Sequence, residues 1–400
     1  MTALGIFLAM IITLYIIRRI YAKRCLNNLD VALSMSASTA TEGDELYLFE
    51  ILQNKKWLPL PWVNVKFQID RELEFADNEN AVVSDLYYRN DLFHILMHQK
   101  ITRRLKFVCS KRGYFHIRGL EITAWDILMS NKYIAHFQTN SQLTVYPATL
   151  PVTLVDDLCT RVYGYLKSTA RIYQDPFSFR GIREYIPGDP MKAVNFKASA
   201  RSNDLMVNIW DYSNARRIVL LLDVERHTRW HNESLDERAI KIVASLAERL
   251  DAEGMPIAYI TNAQSIKDKP ESSDVPYENT SVLAKRTHRI PPAQAQIPVN
   301  AQNHHFAISE GRGPHHLRAI LESLAYIDLN NQQLSHFAHI LNEIRHTGDF
   351  EPEYWFVSCY FDKELEQAFF DLQAAGAKVC WMMPSPRLSE DEITAEVLFV

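Results

Sequence analysis

Two hydrophobic patterns divide the chain, and they predict two kinds of structure. In residues 30–147, short runs alternate apolar and polar positions, with turn residues such as 42–44, 54–56 and 111–113 between them. A period of two is typical of half-buried β-strands. The runs that fit lie at residues 29–38, 45–52, 62–70, 101–110, 114–123 and 142–147. So many short strands without a helical period predict a β-rich, sandwich-like domain.

The pattern changes in the C-terminal part, where buried strands alternate with amphipathic helices. Continuous apolar runs predict strands at residues 217–224, 256–260, 354–360 and 377–383, and helical spacing predicts helices at 235–250, 317–327, 334–344 and 364–375. Such alternation predicts an α/β domain with a mainly parallel sheet covered on both faces. Residues 263–310 are polar and carry several prolines, which indicates a disordered insertion. It is either a surface loop without function or a docking segment.

An uncharged apolar run opens the chain at residues 3–17 and is followed by Arg18, Arg19, Lys23 and Arg24. As a helix it is roughly 22 Å long. Ile20, Tyr21 and the snorkelling arginine stems extend it toward the ~30 Å hydrocarbon core. A cleaved signal peptide fits poorly, because the cations follow the apolar run. The positive-inside rule then predicts a single-pass protein of the cell membrane with most of the chain in the cytoplasm.

These patterns give four segments. They are a transmembrane anchor with a basic flank at 1–24, a β-rich domain at 25–150, a connecting segment at 151–215, and an α/β domain at 216–400.

Composition narrows the possible partners. Apolar residues make up 47% of the chain and charged residues 23%, as in ordinary folded proteins. The formal net charge of −5 argues against nucleic acid as a partner. The five cysteines are widely spaced and form no CxxC pair, which indicates reduced thiols in a cytoplasmic setting.

The connecting segment runs into a charged motif at residues 177–224. This motif resembles the signature of the bacterial family catalogued as domain of unknown function 58. The matching positions are Phe179, Arg183, Tyr185, Pro187, Gly188, Asp189, Asn195, Phe196, Lys197, Ser199, Ala200 and Arg201, followed by the strand that ends in Asp223. Phe196 stands where the family has tryptophan. The order of membrane segment, β-rich region with a Lys-Arg-Gly-Tyr turn at 111–114, and motif also agrees, although the family usually has two membrane segments.

The resemblance implies a von Willebrand factor A-like C-terminal domain. It also implies a MoxR-type AAA+ ATPase as partner, because members of the family often occur beside such ATPases and are thought to act as their membrane partners. No enzymatic activity is established for the family.

The motif has two physical interpretations. Residues 187–189 are typical of a tight turn, and cations such as Arg183, Lys197 and Arg201 alternate with acidic residues. One interpretation is an ion network that fixes the connecting segment to the α/β domain. The other is a binding face for an acidic loop of a partner or for an anion.

Domains of the von Willebrand A type often hold Mg²⁺ where the first strand ends, with oxygen ligands from an Asp-x-Ser-x-Ser motif. The matching positions here are Asp223, Glu225 and His227. Only Asp223 fits, since Glu225 is longer than serine and histidine is a poor Mg²⁺ ligand. The sequence therefore predicts a degenerate site without metal or another cofactor, while a rearranged site at Asp223 and Glu225, with Thr261 as a hydroxyl ligand, stays an alternative.

Enzyme motifs are missing from the sequence. It contains no GxSxG, HExxH or Walker motif, and Cys359 and Cys380 lie within apparent buried strands. We therefore expect a membrane-anchored, non-enzymatic adaptor that works with an AAA+ ATPase in complex assembly or envelope processes. The alternatives are a hydrolase using Asp223 and Glu225, and a purely structural component of an envelope complex.

Overall fold

The computed structural model divides the chain into two compact units. The structure describes residues 2–77, 79–84, 86–127, 129–137, 139, 141–169, 179–186, 191, 194–202, 204–210, 216–225, 233–263, 306–329, 336–360, 362–384 and 395–398. The β-rich unit comprises Met1–Ala148 together with Leu321–Ile327, and the α/β unit comprises Thr149–Ile320 and Asp328–Val400.

The β-rich unit begins with one long helix, which is followed by short strands. These elements are α1 (Thr2–Arg24), β1 (Leu29–Met35), β2 (Thr39–Thr41), β3 (Glu45–Asn54), β4 (Leu60–Asp70), β5 (Leu73–Phe75), β6 (Ala81–Val83), β7 (Leu86–Ile95), β8 (Lys100–Cys109), β9 (Gly113–His116), β10 (Arg118–Trp125), β11 (Lys132–Phe137) and β12 (Gln142–Tyr146).

The strands form a sandwich-like fold, as the alternating pattern predicted. One sheet has the order β1-β3-β8-β5, a second has the order β11-β10-β4-β7-β6, and a small third sheet has the order β2-β12-β9. Inward residues such as Leu48, Val65, Phe107 and Ile122 are fully buried in one apolar core. Burial of alternate positions on each strand is what holds the sheets together.

Several strands differ from the sequence prediction, because β2, β5, β6, β7 and β11 lie outside the predicted runs. Strand β7 was missed, because its inward positions include Arg89 and Asp91 and its outward positions include Leu92, which breaks the apolar-in pattern. The predicted strand at 114–123 is in fact two strands. Strand β9, which pairs with β12, ends at His116, and β10, which pairs with β4 and β11, begins at Arg118. Gly119, at φ +59°, lies where the register of β10 with β4 shifts.

A buried ion network joins the two large sheets. Asp91 of β7 accepts hydrogen bonds from Arg89 of the same strand and, at 2.6 Å, from Arg103 of β8 in the other sheet. Both arginines also reach Asp77, at 3.1 and 3.0 Å. Glu50 of β3, whose Cα pairs with that of Arg103, is fully buried beside Asp91. Burial and the Asp91 charge together raise the pKa of Glu50 to about 8, against the opposing effect of Arg103 and Arg89.

Another buried cation holds the short segment 321–327. The guanidinium of Arg112, in the turn between β8 and β9, donates to the carbonyl oxygens of Leu324 at 2.8 Å, Ala325 at 3.5 Å and Ile327 at 3.2 Å. Carbonyls in this position have no partner within their own helix, so the arginine satisfies them.

Helix α1 has an exposed part and a packed part. Residues 4–24 are long and apolar enough to cross a membrane by length and composition. Side chains such as Leu4, Phe7 and Ile16 are exposed, whereas Tyr21 is buried in the core of the β-rich unit and Ile17 and Ile20 pack against that core. The apolar N-terminal part of the helix is therefore continuous with an end that is built into the β-rich unit.

The α/β unit has a six-stranded sheet with helices on its faces. Its elements are α2 (Val152–Thr169), β13 (Phe179–Glu184), α3 (Phe196–Ser202), β14 (Met206–Trp210), β15 (Ile218–Asp223), α4 (Glu233–Ala252), β16 (Ile257–Thr261), β17 (Phe306–Gly311), α5 (Pro314–Ala325, whose last turn is counted with the β-rich unit), α6 (Phe337–Thr347), β18 (Glu353–Ser358), α7 (Lys363–Ala374), β19 (Lys378–Pro384) and β20 (Ala395–Leu398). The sheet order is β17-β16-β15-β18-β19-β20.

The sheet is mixed. Its central strands are parallel, as predicted, but its two edge strands are antiparallel, which the sequence did not predict. Strands β16, β15, β18 and β19 are parallel, but β17 and β20 pair antiparallel at the two edges. Strand β17 begins inside the predicted insertion 263–310, and residues 264–305 of that insertion lie outside the described residues. Helix α2 of the predicted connecting segment packs against α4 and β19.

Candidate functional site

The parallel strands reverse their order beside β15. The chain passes from β15 through α4 to β16 on one side, and later enters β18 on the other side of β15. Loops that leave neighbouring strands in opposite directions open a crevice at the carboxyl ends of those strands. Asp223 ends β15 and Ser358 ends β18, so both lie at this edge.

Asp223 joins three loops at the edge. Its side chain is fully buried, and its Oδ1 accepts hydrogen bonds from Glu225 N and Asn262 Nδ2, each at 2.9 Å. Its Oδ2 accepts from Ser358 Oγ at 2.9 Å. Burial raises the pKa of Asp223, while the same three hydrogen bonds oppose that rise. The carboxylate thus fixes the loops after β15, β16 and β18 to one another.

Further bonds tighten the same loops. Asn262 Oδ1 accepts from Val224 N at 3.1 Å, which completes a reciprocal link between two strand ends. The hydroxyl of Thr261, suggested by the sequence as a metal ligand, accepts from Ala263 N at 3.1 Å within its own turn. Glu225 Oε2 accepts from Phe337 N at 3.0 Å, so this carboxylate caps the N-terminus of α6.

An imidazole and two carboxylates meet beside this edge. His336 Nε2 lies 3.6 Å from both Asp362 Oδ2 and Glu364 Oε2, and Nδ1 lies 3.7 Å from Glu225 Oε2. Nδ1 also accepts from Ala338 N at 3.3 Å as the N-cap of α6, so in the neutral ring the hydrogen is on Nε2. One ligand atom from each of His336, Asp362 and Glu364 fits within 4.8 Å, which suits a divalent ion when the ring carries its hydrogen on Nδ1 and Nε2 is free to bind.

Cys359 lies directly after β18 and is half-buried, which corrects its assignment to the interior of a strand. Burial first, and then the Asp236 carboxylate that accepts its hydrogen bond, raise the pKa of the Cys359 thiol. Cys380, in β19, is buried as the sequence predicted, and burial raises its pKa to about 12. Neutral thiols of this kind are poor nucleophiles.

The predicted degenerate metal site is only partly within the described residues. Asp223 and Glu225 lie at the edge, and His227 lies outside the part of the chain that the structure describes. Both described carboxylates accept hydrogen bonds from protein donors.

The family-motif residues form a small module in the same unit. Strands β13 and β14 pair antiparallel, with Phe179 opposite Trp210, and α3 lies between them in sequence. Asn195 caps α3 by accepting from Ala198 N at 3.0 Å, and its Nδ2 donates to Asn208 Oδ1 at 2.7 Å. Ser199 Oγ accepts from Met206 N at 2.8 Å. Asn195 and Ser199 are therefore residues that fix α3 to β14.

Other motif residues point outward. Phe196 is 71% exposed, and Lys197 and Arg201 are exposed on the same short helix. The cations of α3 are thus not part of a buried ion network. Arg183 and Tyr185 are half-buried, with Arg183 donating to its neighbour's carbonyl, Glu184 O, at 3.0 Å. Residues 187–189, which hold the predicted Pro-Gly-Asp turn, lie outside the described residues.

Sequence reasoning missed Asn262, Ser358 and the residues around His336. Asn262 and Ser358 carry the same signal as Asp223, since each stands at the end of a buried apolar run. His336 carries no such signal. It precedes α6, and it meets Asp362 and Glu364 only because α6 and α7 begin at the same edge of the sheet.

Comparisons with known proteins give limited information. No family model matches the chain. The chain is 22% identical over 222 residues to Uncharacterized protein YeaD of Bacillus subtilis (strain 168), which covers 55% of this chain and 52% of that protein. The chain thus spans about half the length of the curated relative it matches.

Solved structures resemble the chain over a smaller part. A non-cellulosomal cohesin from Archaeoglobus fulgidus is 13% identical, with 30% of this chain and 91% of that chain covered and a TM-score of 0.20. A type II cohesin domain from Acetivibrio cellulolyticus is 8% identical, with 30% and 95% covered and a TM-score of 0.23. The CARDB domain of the PF1109 protein from Pyrococcus furiosus is 9% identical, with 30% and 90% covered and a TM-score of 0.20. At such scores only the chain's own residues carry the functional argument.

Proposed function

We propose that this protein is a membrane-anchored, non-enzymatic adaptor. Its α/β unit, of von Willebrand factor A-like type, engages a cytoplasmic MoxR-type AAA+ ATPase through the motif helix α3. The partner is the one that the family resemblance implies. The observation that carries the proposal is the exposed aromatic and cationic face of α3 on a frame fixed by Asn195 and Ser199.

The face of α3 has the properties of a protein-binding site. A bulky aromatic side chain, Phe196, stands in solvent next to Lys197, with Arg201 one turn further along the helix. Aromatic and cationic residues supply much of the binding energy at protein interfaces. The hydrogen bonds of Asn195 and Ser199 hold the helix in place before binding, which reduces the entropy lost on association. An acidic loop fits this face best.

The carboxyl edge supports an adaptor over a hydrolase. A catalytic base must have an oxygen directed at the substrate or its attacking water. Asp223 holds three donors inside the protein, and Glu225 caps α6. Both carboxylates named by the hydrolase alternative therefore hold loops and a helix together.

The membrane part of the proposal is supported by α1. Its first part is apolar and exposed, and Arg18, Arg19, Lys23 and Arg24 follow that part. Exposure of so many large apolar side chains on one helix is unfavourable in water and favourable in a bilayer.

Co-purification with the MoxR-type ATPase of the same cell tests the partner assignment. The full chain is extracted from membranes in mild detergent, and the ATPase that it retains is quantified. Loss of one aromatic anchor at an interface costs ~2 kcal/mol or more. We therefore expect the variant Phe196→Ala, Lys197→Glu, Arg201→Glu to bind the ATPase at least about thirtyfold more weakly and to retain correspondingly less of it.

A matched control changes the same kinds of side chain elsewhere in the α/β unit. The variant Val152→Ala, Arg161→Glu, Lys378→Glu alters one exposed apolar residue and two exposed cations outside the motif. It should retain as much ATPase as the unmodified chain. If both variants lose the same amount of bound ATPase, the binding surface does not lie on α3. If the unmodified chain retains no ATPase, the ATPase is not its partner.

A second candidate function is a metal-dependent activity at His336, Asp362 and Glu364. The convergence of their ligand atoms within 4.8 Å favours it. Purified chain is dialysed against Zn²⁺ or Mn²⁺, and bound metal is measured per chain. Stoichiometric metal that is lost in His336→Ala but kept in Glu351→Gln, an exposed carboxylate at the other edge, would support this candidate.

A further inference from the structure

Three turns of the β-rich unit lie at the end where α1 enters it. They are residues 55–59 between β3 and β4, 96–99 between β7 and β8, and 126–131, apart from the undescribed residue 128, between β10 and β11. Strand β1 starts at this same end, directly after α1. In an antiparallel sandwich, alternate turns lie at the same end, so this arrangement follows from the strand order.

Hydrogen bonds join two of these turns into one surface. Asn54 is fully buried, and its Nδ2 donates to Leu58 O and to Leu96 O, each at 2.9 Å. His98 N donates to Lys56 O at 3.2 Å. The turns at 55–59 and 96–99 are therefore held side by side.

The last turns of α1 are tied to the same surface. Tyr21 Oη donates to Pro59 O at 2.8 Å, and the Arg18 guanidinium donates to Asn131 Oδ1 at 3.2 Å. Lys56 Nζ donates to the carbonyl of Asn27, just after the helix, at 2.9 Å. Each of the turns 55–59 and 126–131 thus contacts the point at which the apolar helix ends.

Large apolar side chains project from all three turns. Five of them are 52% to 64% exposed, namely Trp57, Leu96, Met97, Ile127 and Met129. We call these five residues the apolar collar. Turns at the opposite end of the sandwich, such as 42–44 and 110–112, carry charged residues instead. Met129 even adopts φ +52°, a conformation that is uncommon for a residue other than glycine.

The position of the collar along α1 is fixed by helix geometry. Ile16 is exposed, Arg18 contacts the turn at 126–131, and Tyr21 contacts the turn at 55–59. At 1.5 Å per residue, Ile16 and Tyr21 are about 7.5 Å apart along the axis. A bilayer that covers the helix as far as Ile16 therefore reaches the level of these turns within about one and a half helical turns.

Cations surround the collar. Arg18, Arg19, Lys23 and Arg24 are exposed on α1, and Lys100 and Lys132 are exposed where β8 and β11 leave the turns. Basic residues near a membrane surface are attracted to anionic headgroups, while Trp, Leu, Ile and Met side chains enter the boundary between headgroups and acyl chains.

We propose that the apolar collar is a second lipid-binding element, which inserts into the membrane interface around the base of α1 and holds the β-rich unit against the bilayer. This inference rests on the proposed membrane anchorage. The occupant is a lipid surface because the collar continues the apolar surface of α1 and is ringed by cations.

Depth measurements with nitroxide labels test the collar directly. Single cysteines are introduced in the full chain at Met97 and Ile127 in the collar, at Val82 as an exposed apolar control in β6, and at Phe7 in α1. The native cysteines among the described residues are buried, or half-buried in the case of Cys359, and the unmodified chain measures their background labelling. The labelled chains are placed in nanodiscs with 30% anionic lipid, and nitroxide accessibility to oxygen is compared with accessibility to a water-soluble nickel chelate.

The inference and the anchorage have separable outcomes. We expect Phe7, Met97 and Ile127 labels to favour oxygen, and the Val82 label to favour nickel. If the label at Phe7 favours oxygen while the labels at Met97 and Ile127 are as accessible to nickel as the label at Val82, the collar proposal is wrong and the anchor remains supported. A nickel-favouring Phe7 would overturn the anchorage on which the collar rests.

Discussion

Asp223 shows how one side chain can determine the order of a whole edge of the sheet. It receives hydrogen bonds from three different loops, and a carboxylate is the one short side chain with enough acceptor positions for all of them. The sequence marked the residue as the one position that fits the magnesium motif, within a site predicted to be degenerate. The structure gives it a second use that requires no metal, because every donor belongs to the protein.

Replacing Asp223 should destabilise the α/β unit. Asp223→Ala removes the acceptor of the Asn262 Nδ2 and Glu225 N hydrogen bonds and one of the two acceptors near Ser358 Oγ, so the free energy of unfolding should fall by ~2–4 kcal/mol. Asp223→Asn keeps one acceptor oxygen and should lose about half as much. The exposed Asp349→Ala, whose side chain is 51% accessible, is the control and should change stability by less than ~1 kcal/mol. Denaturant unfolding of the detergent-solubilised chain measures all three, and an Asp223→Ala variant as stable as the control would contradict the clamp.

Glu50 makes the stability of the β-rich unit depend on pH. Its pKa is raised to about 8 from an ordinary 4.5, so between these values the folded state keeps a proton that the unfolded state releases. This contribution is complete below pH 4.5 and is lost as pH rises through 8, with an upper limit of roughly 5 kcal/mol. Glu50→Gln mimics the protonated acid. Its melting temperature should therefore exceed that of the unmodified chain by an amount that grows from pH 5 to pH 8.5.

Glu121 provides a control of opposite sign. Partial burial alone would raise its pKa, but hydrogen bonds from Lys66 and Thr123, both at 3.2 Å, lower it. The contribution of Glu121 to the free energy of unfolding is present above its ordinary pKa and is lost in acid. Glu121→Gln should therefore be destabilising at neutral pH. Calorimetry that showed the same pH trend for both variants would sink the assignment of the buried proton to Glu50.

At the scale of elements, α3 is a helix that its surroundings must hold. It spans Phe196–Ser202, and a helix this short is unstable by itself in water. Asn195 supplies both its N-cap and a bond to Asn208, and Ser199 receives the amide of Met206. The proposed binding face of α3 thus depends on two side chains that do not form part of it.

Loss of these bonds should loosen α3 without unfolding the sheet. Asn195→Ala removes the cap, worth ~1 kcal/mol, and the contact with Asn208. Hydrogen exchange of the amides of α3 and β14 should become about tenfold faster, while that of β15 stays unchanged. Asn195→Asp keeps the cap and should give an intermediate rate. Uniform acceleration across the unit would show that Asn195 supports the whole domain instead.

Sequence patterns predicted elements well where burial was purely apolar. The strand at Ile218–Asp223 and the helix at Glu233–Ala252 both fall where a single hydrophobic period places them. Strand β7 was missed because Arg89 and Asp91 occupy inward positions, and their partners Asp77 and Arg103 become visible only after the sheets pack. Side-chain pairs across sheets leave no mark in the local period.

The candidate sites were predictable to different degrees for the same reason. Asp223 was found because a carboxylate directly after a buried strand is a local signal. Neither the link from Asn262 to Asp223 nor the grouping of His336 with Asp362 has a local signal, since each depends on which strand or helix becomes a neighbour. Strand order is a tertiary property, and local patterns in the sequence do not reveal it.

At the scale of the whole molecule, membrane anchorage and partner binding require a defined orientation. Four cations follow the apolar part of α1, and they lie within the ~15–20 residues of a span in which Lys and Arg determine orientation. If the adaptor is to meet a cytoplasmic ATPase, the units that follow α1 must face the cytoplasm. The basic flank is therefore as necessary to the proposed function as the face of α3.

Orientation can be read from a cysteine placed at Val82, which is 68% exposed in the β-rich unit. A membrane-impermeant maleimide should leave it unmodified in intact cells and label it in inverted vesicles.

Replacing Arg18, Arg19, Lys23 and Arg24 by glutamine weakens the charge bias that sets the orientation, so a share of molecules should become reactive from outside. The control replaces four exposed cations far from the span, Arg71, Lys106, Lys363 and Lys378, and should keep the original orientation, because only charges near the span act on its insertion. If the cysteine at position 82 is labelled in intact cells when the basic flank is unchanged, these units lie outside the cytoplasm, where a cytoplasmic ATPase cannot reach them.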